Sequence, residues 1–173
     1  MPQKALIIVD MLNDFIDEKG ALYCGTQAKA IIPFVRHRLA TFRKNGDLVI
    51  FLRDSHDEND QEFTKFPKHC VSDTWGSEII TELAPVPDEK VVPKKRYSGF
   101  YETDLEKILE DANIEEVEVN GVCTSICVMD TVGGLANRDY NVLVPVKGVA
   151  DFDNEMHKFS LKRMKQLYGA RVS

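Results

Sequence analysis

The stretch ALIIVD at Ala5–Asp10 decides the fold, because five apolar residues without polar alternation end on a carboxylate. An unbroken run of this kind suits a central strand covered on both faces, as in a parallel sheet, whereas a strand with one wet face alternates. LVIFL at Leu48–Leu52 and VLV at Val142–Val144 have the same character, and Glu116–Asn120 is predicted as a further strand. Between these runs the period becomes helical. Ile31, Val35, Leu39 and Phe42 fall on one face, Pro33 suits a first turn, and Asn45-Gly46 stops the segment. A helix is expected after Thr103, with Asp104 and Glu106 near its positive end and Leu105, Ile108 and Leu109 on its inner face. The spacing predicts two more over Thr124–Arg138 and Asn154–Gln166. Strand alternating with helix implies α/β architecture, three layers (αβα) around a central, mostly parallel sheet.

The 173 residues, 43% of them hydrophobic, suffice for one core and are too few for two stable domains, so residues 1–173 are expected to form a single domain. Lys and Arg number 22 against 28 Asp and Glu, a formal charge of −6, which argues against a nucleic acid partner. No apolar run approaches the ~18–20 residues of a membrane span, and Met1–Lys4 lacks the basic and apolar regions of a signal peptide, so no membrane association and a cytoplasmic location are expected. Four cysteines, Cys24, Cys70, Cys123 and Cys127, are few for a disulfide scaffold and would stay reduced there, so each matters by its reactivity.

Arg53–Trp75 shows neither period and is rich in Asp, Glu, His, Lys and Pro; an irregular connection this long in a compact domain is usually functional or disordered. In parallel sheets ligands gather at the carboxyl ends of strands, where three polar clusters are expected: Asp10, Asp54-Ser55-His56 and Gly121–Cys127. GVCTSICV at 121–128 follows a strand and opens a helix, which places Cys127 beside free N–H groups that favour thiolate. The alternative is a small buried hydrophobe between Ile126 and Val128. Cys123 could pair with Cys127 in a redox or metal site, although C-x-x-x-C is not the usual spacing. A cysteine hydrolase also needs a proton carrier and a cation. His37 and His157 lie in helix patterns suited to solvated or capping roles, and His56 and His69 sit among acids in the irregular loop. A carboxylate is therefore expected to move the proton, and Asp10 is the one placed for it, unless it only bonds turn amides. VVPKKRYSGF offers Lys94, Lys95 and Arg96 as the cation, unless that triplet is solvated surface.

ALIIVDMLNDF, the K-x-x-Y-S-G-F segment at Lys94–Phe100 and GVCTSICV together resemble the isochorismatase-like cysteine hydrolases, in the right order over nearly the whole chain. The resemblance implies that family's Rossmann-like sheet and a catalytic triad of Asp10, Lys94 and Cys127. Lys94 is taken over Lys95 because it stands three residues before Tyr97. It implies an oxyanion hole from the N–H groups of Cys123 and Cys127, after a cis peptide between Val122 and Cys123. The irregular loop resembles the metal loop of nicotinamidases and pyrazinamidases, with Asp54, His56, Glu62 and His69 holding one divalent ion, Zn²⁺ first and Mn²⁺ or Fe²⁺ as alternatives. Without the family, that cluster reads equally as a hydrated acidic loop. Phe15, Phe66 and Tyr97 match aromatic pocket positions, with core packing as the other reading of Phe15. The resemblance implies hydrolysis of nicotinamide, a small amide, to nicotinate and ammonia through a thioester on Cys127, a step of NAD salvage; members of the family often form homo-oligomers, for which the apolar Val128–Leu135 helix is one candidate face unless it simply packs on the sheet. Two alternatives stand beside it: another substrate such as an N-carbamoyl or ureido compound, and a non-catalytic relative acting as a binding partner.

Overall fold

Ala5 through Val9 are each at most 1% exposed and form the middle of strand β1, Lys4–Val9. The computed structural model describes residues 3–173; Met1 and Pro2, which begin the segment screened above for a signal peptide, lie outside them. From β1 the chain passes through α1 (Asn13–Ile16), α2 (Thr26–Ala30) and α3 (Ile32–Asn45) to β2 (Leu48–Asp54) and β3 (Lys90–Lys94). It continues with α4 (Leu105–Asp111), β4 (Glu116–Val122), α5 (Met129–Ala136), β5 (Asn141–Val144), β6 (Val149–Ala150), α6 (Asn154–Gln166) and β7 (Arg171–Val172).

All strand pairings are parallel, in the order β3-β2-β1-β4-β5-β7, with β6 alongside the end of β4. Because β1 is paired on both sides, its alternate residues enter two different cores. Ala5, Ile7 and Val9 pack with Leu105 and Leu109 of α4, Val132 and Leu135 of α5 and Met164 of α6. Leu6 and Ile8 pack with Val35, Leu39 and Phe42 of α3 on the opposite face. Two cores on one sheet make the three layers, which explains why β1 carries no polar alternation.

The strand order reverses between β1 and β4, and a crevice is expected beyond their carboxyl ends. Gly121 lets the two strands approach there. It has φ +121°, and a Cβ on it would stand 2.1 Å from the Val9 carbonyl oxygen.

Some boundaries differ from the sequence reading. β2 runs on to Asp54 and β4 to Val122. The helix predicted over Thr124–Arg138 divides into a π-type turn at Thr124–Val128 and then α5. Arg53–Trp75 is more ordered than its composition suggested, since a 3₁₀ turn spans Gln61–Thr64 and a parallel bridge joins His56 to Val71. The apolar side of α5 packs on the sheet, where Val128, Val132 and Leu135 are fully buried. Among the described residues, no helix is long and apolar enough to cross a membrane.

Candidate active site

Asp10 follows β1 with φ +49°, in the left-handed region that residues with a Cβ visit seldom, and its Oδ1 accepts a 2.9 Å hydrogen bond from the Asp54 amide. Lys94, the last residue of β3, is 2% exposed. Its Nζ lies 2.8 Å from Asp10 Oδ2, 2.5 Å from Asp54 Oδ1 and 3.4 Å from Cys127 Sγ, and donates to the Arg96 carbonyl at 3.1 Å. The sulfur and one oxygen from each of Asp10 and Asp54 all lie within 4.8 Å of one another. The ends of β1, β2 and β3 and the turn after β4 thus bring one thiol, one ammonium and two carboxylates together away from water. The peptide between Val122 and Cys123 is cis.

The charges order themselves. Burial works against the Lys94 ammonium, but Asp10 and Asp54 outweigh it and hold its pKa well above the ordinary value. Burial, aided by the Asp54 charge, pushes Asp10 up to about 6 in spite of Lys94. Burial also opposes ionised Asp54, yet Lys94 and His56 hold that carboxyl below the usual range. Cys127 corrects the sequence expectation of a lowered thiol pKa. Burial pushes it well above normal, Asp10 and Asp54 push the same way, and Lys94 opposes them without prevailing. The sulfur also sits within a π-type turn rather than in the first turn of an α-helix. The direction of these shifts favours the thiol over the thiolate beside Asp10, whose Oδ2, among the described residues, has no hydrogen-bond partner beyond the Lys94 ion pair.

The second half of the site lies along the loop after β2. Asp54, His56 and His69 each offer a ligand atom within 4.8 Å of the other two. His56 Nε2 is 3.6 Å from Asp54 Oδ2, and Glu62 Oε1 is 3.8 Å from His69 Nε2. Ligand atoms about 2.1 Å from one cation stand roughly 3–3.5 Å apart, so these gaps need little closure. Two observations bear on the fit. Among the described residues, His56 Nε2 and Glu62 Oε2 are buried without any hydrogen-bond partner. Both rings are also held by their other nitrogen, His56 Nδ1 at 3.2 Å from Asp60 Oδ2 and His69 Nδ1 at 2.7 Å from the Pro67 carbonyl. Rings fixed in this way leave Nε2 directed inward, as metal-ligating histidines do. Burial lowers the pKa of His69, whereas His56 is raised, its carboxylate neighbours overcoming burial; burial and the Asp54 charge raise Glu62.

A cavity of about 360 Å³ joins the two halves, and its lining includes Asp10, Asp54, Glu62, His69, Cys123 and Cys127. Phe15, Phe66 and Tyr97 line it too, with the Phe15 and Phe66 rings centred 5.7 Å and 6.3 Å from that of His69. Phe15 belongs equally to the core around β1, so its two readings coexist. The rest of the wall was not legible in the sequence: Leu22, Tyr23 and Cys24 after α1, Val122, Ile126, and Phe152, which is 58% exposed. Asp14 was missed as well, although its carboxylate accepts from the Ala21 amide at 3.0 Å and from the Cys70 amide at 2.7 Å, tying the pocket wall to the residue after His69.

The remaining candidates fall elsewhere. Lys95 and Arg96 pair with Asp57 and Asp60. His37 is exposed on α3, while His157 Nδ1 meets Thr124 Oγ1 at 2.9 Å, behind the turn that carries Cys127. The neighbour of Cys123 is Cys24, with sulfurs 3.2 Å apart, rather than Cys127; all four cysteines are free.

Comparison with known proteins adds to this geometry. The family described as "Isochorismatase domain" matches residues 4–173. The nicotinamidase/pyrazinamidase PncA from Bacillus subtilis is 36% identical, covers 99% of each chain and superposes with a TM-score of 0.94. The pyrazinamidase of Pyrococcus horikoshii, crystallised in complex with zinc, is 32% identical over 99% of each chain with a TM-score of 0.92. N-carbamoylsarcosine amidase from Thermoplasma acidophilum is 33% identical, covering 99% of this chain and 95% of its own, with a TM-score of 0.90.

Proposed function

The chain belongs to the isochorismatase family of hydrolases, and on that premise we propose that it hydrolyses nicotinamide to nicotinate and ammonia through a thioester on Cys127. The observation that carries this reading is the convergence of Cys127 Sγ, the Asp10 carboxylate and Lys94 Nζ at the edge of the cavity whose other wall holds His69 and Glu62.

The proton inventory fits a thiol at rest. Asp10 takes the Cys127 proton as the sulfur attacks the amide carbon, so the thiolate exists only while it is being consumed. Lys94 stays charged and keeps Asp10 able to ionise in a buried setting. The carbonyl oxygen, now anionic, is assigned to the N–H groups of Cys123 and Cys127; losing one such donor typically lowers the rate by on the order of 10²–10³. Collapse breaks the C–N bond while Asp10 returns its proton to the leaving nitrogen, which departs as ammonia. Water then attacks the thioester and gives one proton to Asp10; collapse breaks the C–S bond as Asp10 passes that proton to the Cys127 sulfur, restoring the thiol, and the acid product loses its remaining proton to solvent as nicotinate. Asp54, His56 and His69, with Glu62 beside them, would hold a divalent cation, zinc by likeness to the zinc-bound relative, and this would supply a Lewis-acidic contact for a pyridine ring nitrogen. Phe15, Phe66 and Tyr97 would flank the ring, and the cavity lies at the small end of the range for ligand pockets, about 300–1,000 Å³.

The N-carbamoyl alternative is kept by the likeness to N-carbamoylsarcosine amidase, but such a substrate gives the inward-facing histidines nothing to do. The test is ammonia release from nicotinamide, pyrazinamide and N-carbamoylsarcosine, with and without a chelator. Nicotinamide turnover that falls on chelation, returns with Zn²⁺ and is absent in Cys127→Ala supports the proposal. Turnover of N-carbamoylsarcosine alone, or full activity of Cys127→Ala, refutes it.

A further inference from the structure

One buried carboxylate outside the triad and the four ligand candidates contacts the loop half of the site directly and reaches the Lys94 half through Arg96. Asp60 opens the Gln61–Thr64 turn with its side chain 4% exposed. Its Oδ2 meets His56 Nδ1 at 3.2 Å and its Oδ1 accepts from the Glu62 amide at 2.8 Å. Both oxygens lie 3.0 Å from Arg96 Nη1. Arg96, whose side chain is 37% exposed, in turn gives its carbonyl to Lys94 Nζ at 3.1 Å. One side chain therefore fixes a ring, a backbone segment and a cation that come from two stretches of chain more than thirty residues apart.

Each contact has a chemical consequence. A carboxylate at Nδ1 favours the tautomer with the proton on that nitrogen, which leaves the Nε2 lone pair facing Asp54 Oδ2, 3.6 Å away. The bond to the Glu62 amide sets where the 3₁₀ turn begins and so where the Glu62 carboxylate points. Arg96 neutralises a carboxylate that would otherwise be buried without a cation.

We propose that Asp60 is the positioning residue that joins the cation-binding loop to the strand end carrying Lys94, acting through His56, Glu62 and Arg96. The proposal rests on the metal reading above and deepens it, because it says what fixes the ligands before any ion arrives. Asp60 neither lines the cavity nor belongs to the Asp54, His56 and His69 group.

The test is Zn²⁺ affinity, measured on the full chain without substrate by competition with a chromophoric chelator. Asp60→Asn keeps the shape but loses the charge, and one of its two head atoms can no longer accept a hydrogen bond. It is expected to weaken Zn²⁺ binding about 10–100-fold, the usual effect of removing a ligand's hydrogen-bond partner, and to raise KM while kcat at saturating Zn²⁺ changes much less. Arg96→Ala is expected to weaken binding in the same direction by less, and Arg96→Lys to restore much of it. These surface-side variants keep the inference testable should Asp60→Asn fail to fold, and thermal unfolding in chelator reports folding separately. Unchanged Zn²⁺ affinity in Asp60→Asn, or in Arg96→Ala where Asp60→Asn does not fold, overturns the proposal. A wild-type chain that binds no Zn²⁺ overturns it together with the metal reading, whereas tight wild-type binding without turnover of nicotinamide leaves it standing and refutes the proposed substrate alone.

Discussion

Replacing Lys94 by Met removes a charge from the most crowded electrostatic position in the chain. The ammonium lies between Asp10 at 2.8 Å and Asp54 at 2.5 Å, and all three side chains are at most 5% exposed, so solvent screens none of these contacts. Met follows the course of the lysine stem, which limits the loss of packing. What remains is two carboxylates within 4.8 Å of each other without their cation. Removing one partner of a buried ion pair usually destabilises by about 3–5 kcal/mol. For a chain of this length about 2–4 °C of melting temperature goes with each kcal/mol, so Lys94→Met is expected to melt roughly 6–20 °C below wild type in chelator. Differential scanning calorimetry at neutral pH reads this directly. Saturating Zn²⁺ should raise the variant's melting temperature more than that of wild type, because Asp54 would then have a cation again. A variant that melts within 2 °C of wild type in chelator, or one that keeps its ammonia-releasing activity, would refute the assignment of Lys94 as the charge that holds Asp10 and Asp54 together.

Asp10→Asn keeps a carbonyl for the Asp54 amide but has no site for the Cys127 proton, and it should lower kcat by about 10²–10⁴, measured as ammonia release. Gly121→Ala places a Cβ 2.1 Å from the Val9 carbonyl oxygen at a φ of +121°, and neither strand can retreat without breaking the β1–β4 ladder. It should cost at least about 3 kcal/mol, read as a shift in the urea midpoint at unchanged slope, and a shift of a few tenths of a kcal/mol would contradict the close approach.

The parts of the fold that were legible in the sequence are those whose burial is complete. Ala5–Val9 and Val49–Leu52 declare central strands because no residue in them faces water. The candidate site was legible at Asp10, which ends an apolar run, and at Cys127 in the turn after β4; the basic triplet at 94–96 marked a place, and only the family resemblance picked Lys94 from it. Asp60 and Asp14 were not, since each acts through backbone amides and rings brought close by folding, and an aspartate among many in a polar stretch shows nothing local. The protonation of Cys127 was misread for a related reason. A nearby helix start suggests thiolate, but burial in the folded chain pushes the thiol up, and the two acids that add to it, Asp10 and Asp54, come from strand ends more than seventy residues earlier. β6 and β7, two residues each, are too short for any period to register.

The π-type turn at Thr124–Val128 has a consequence for how the reactive sulfur is aimed. Such a turn carries one residue more than an α-helical turn. The extra residue shifts the angular phase between Cys123 and the helix that follows, whose Val132 and Leu135 are keyed to the sheet. Cys127 keeps a fixed spacing from Val132, so the seat of α5 also sets the aim of the sulfur. Deleting a single residue such as Ser125 would leave that spacing intact and would instead turn the entry from β4 by roughly 100° about the axis. Length in this short turn therefore sets how the strand meets the nucleophile, while the helix behind it sets where the nucleophile points.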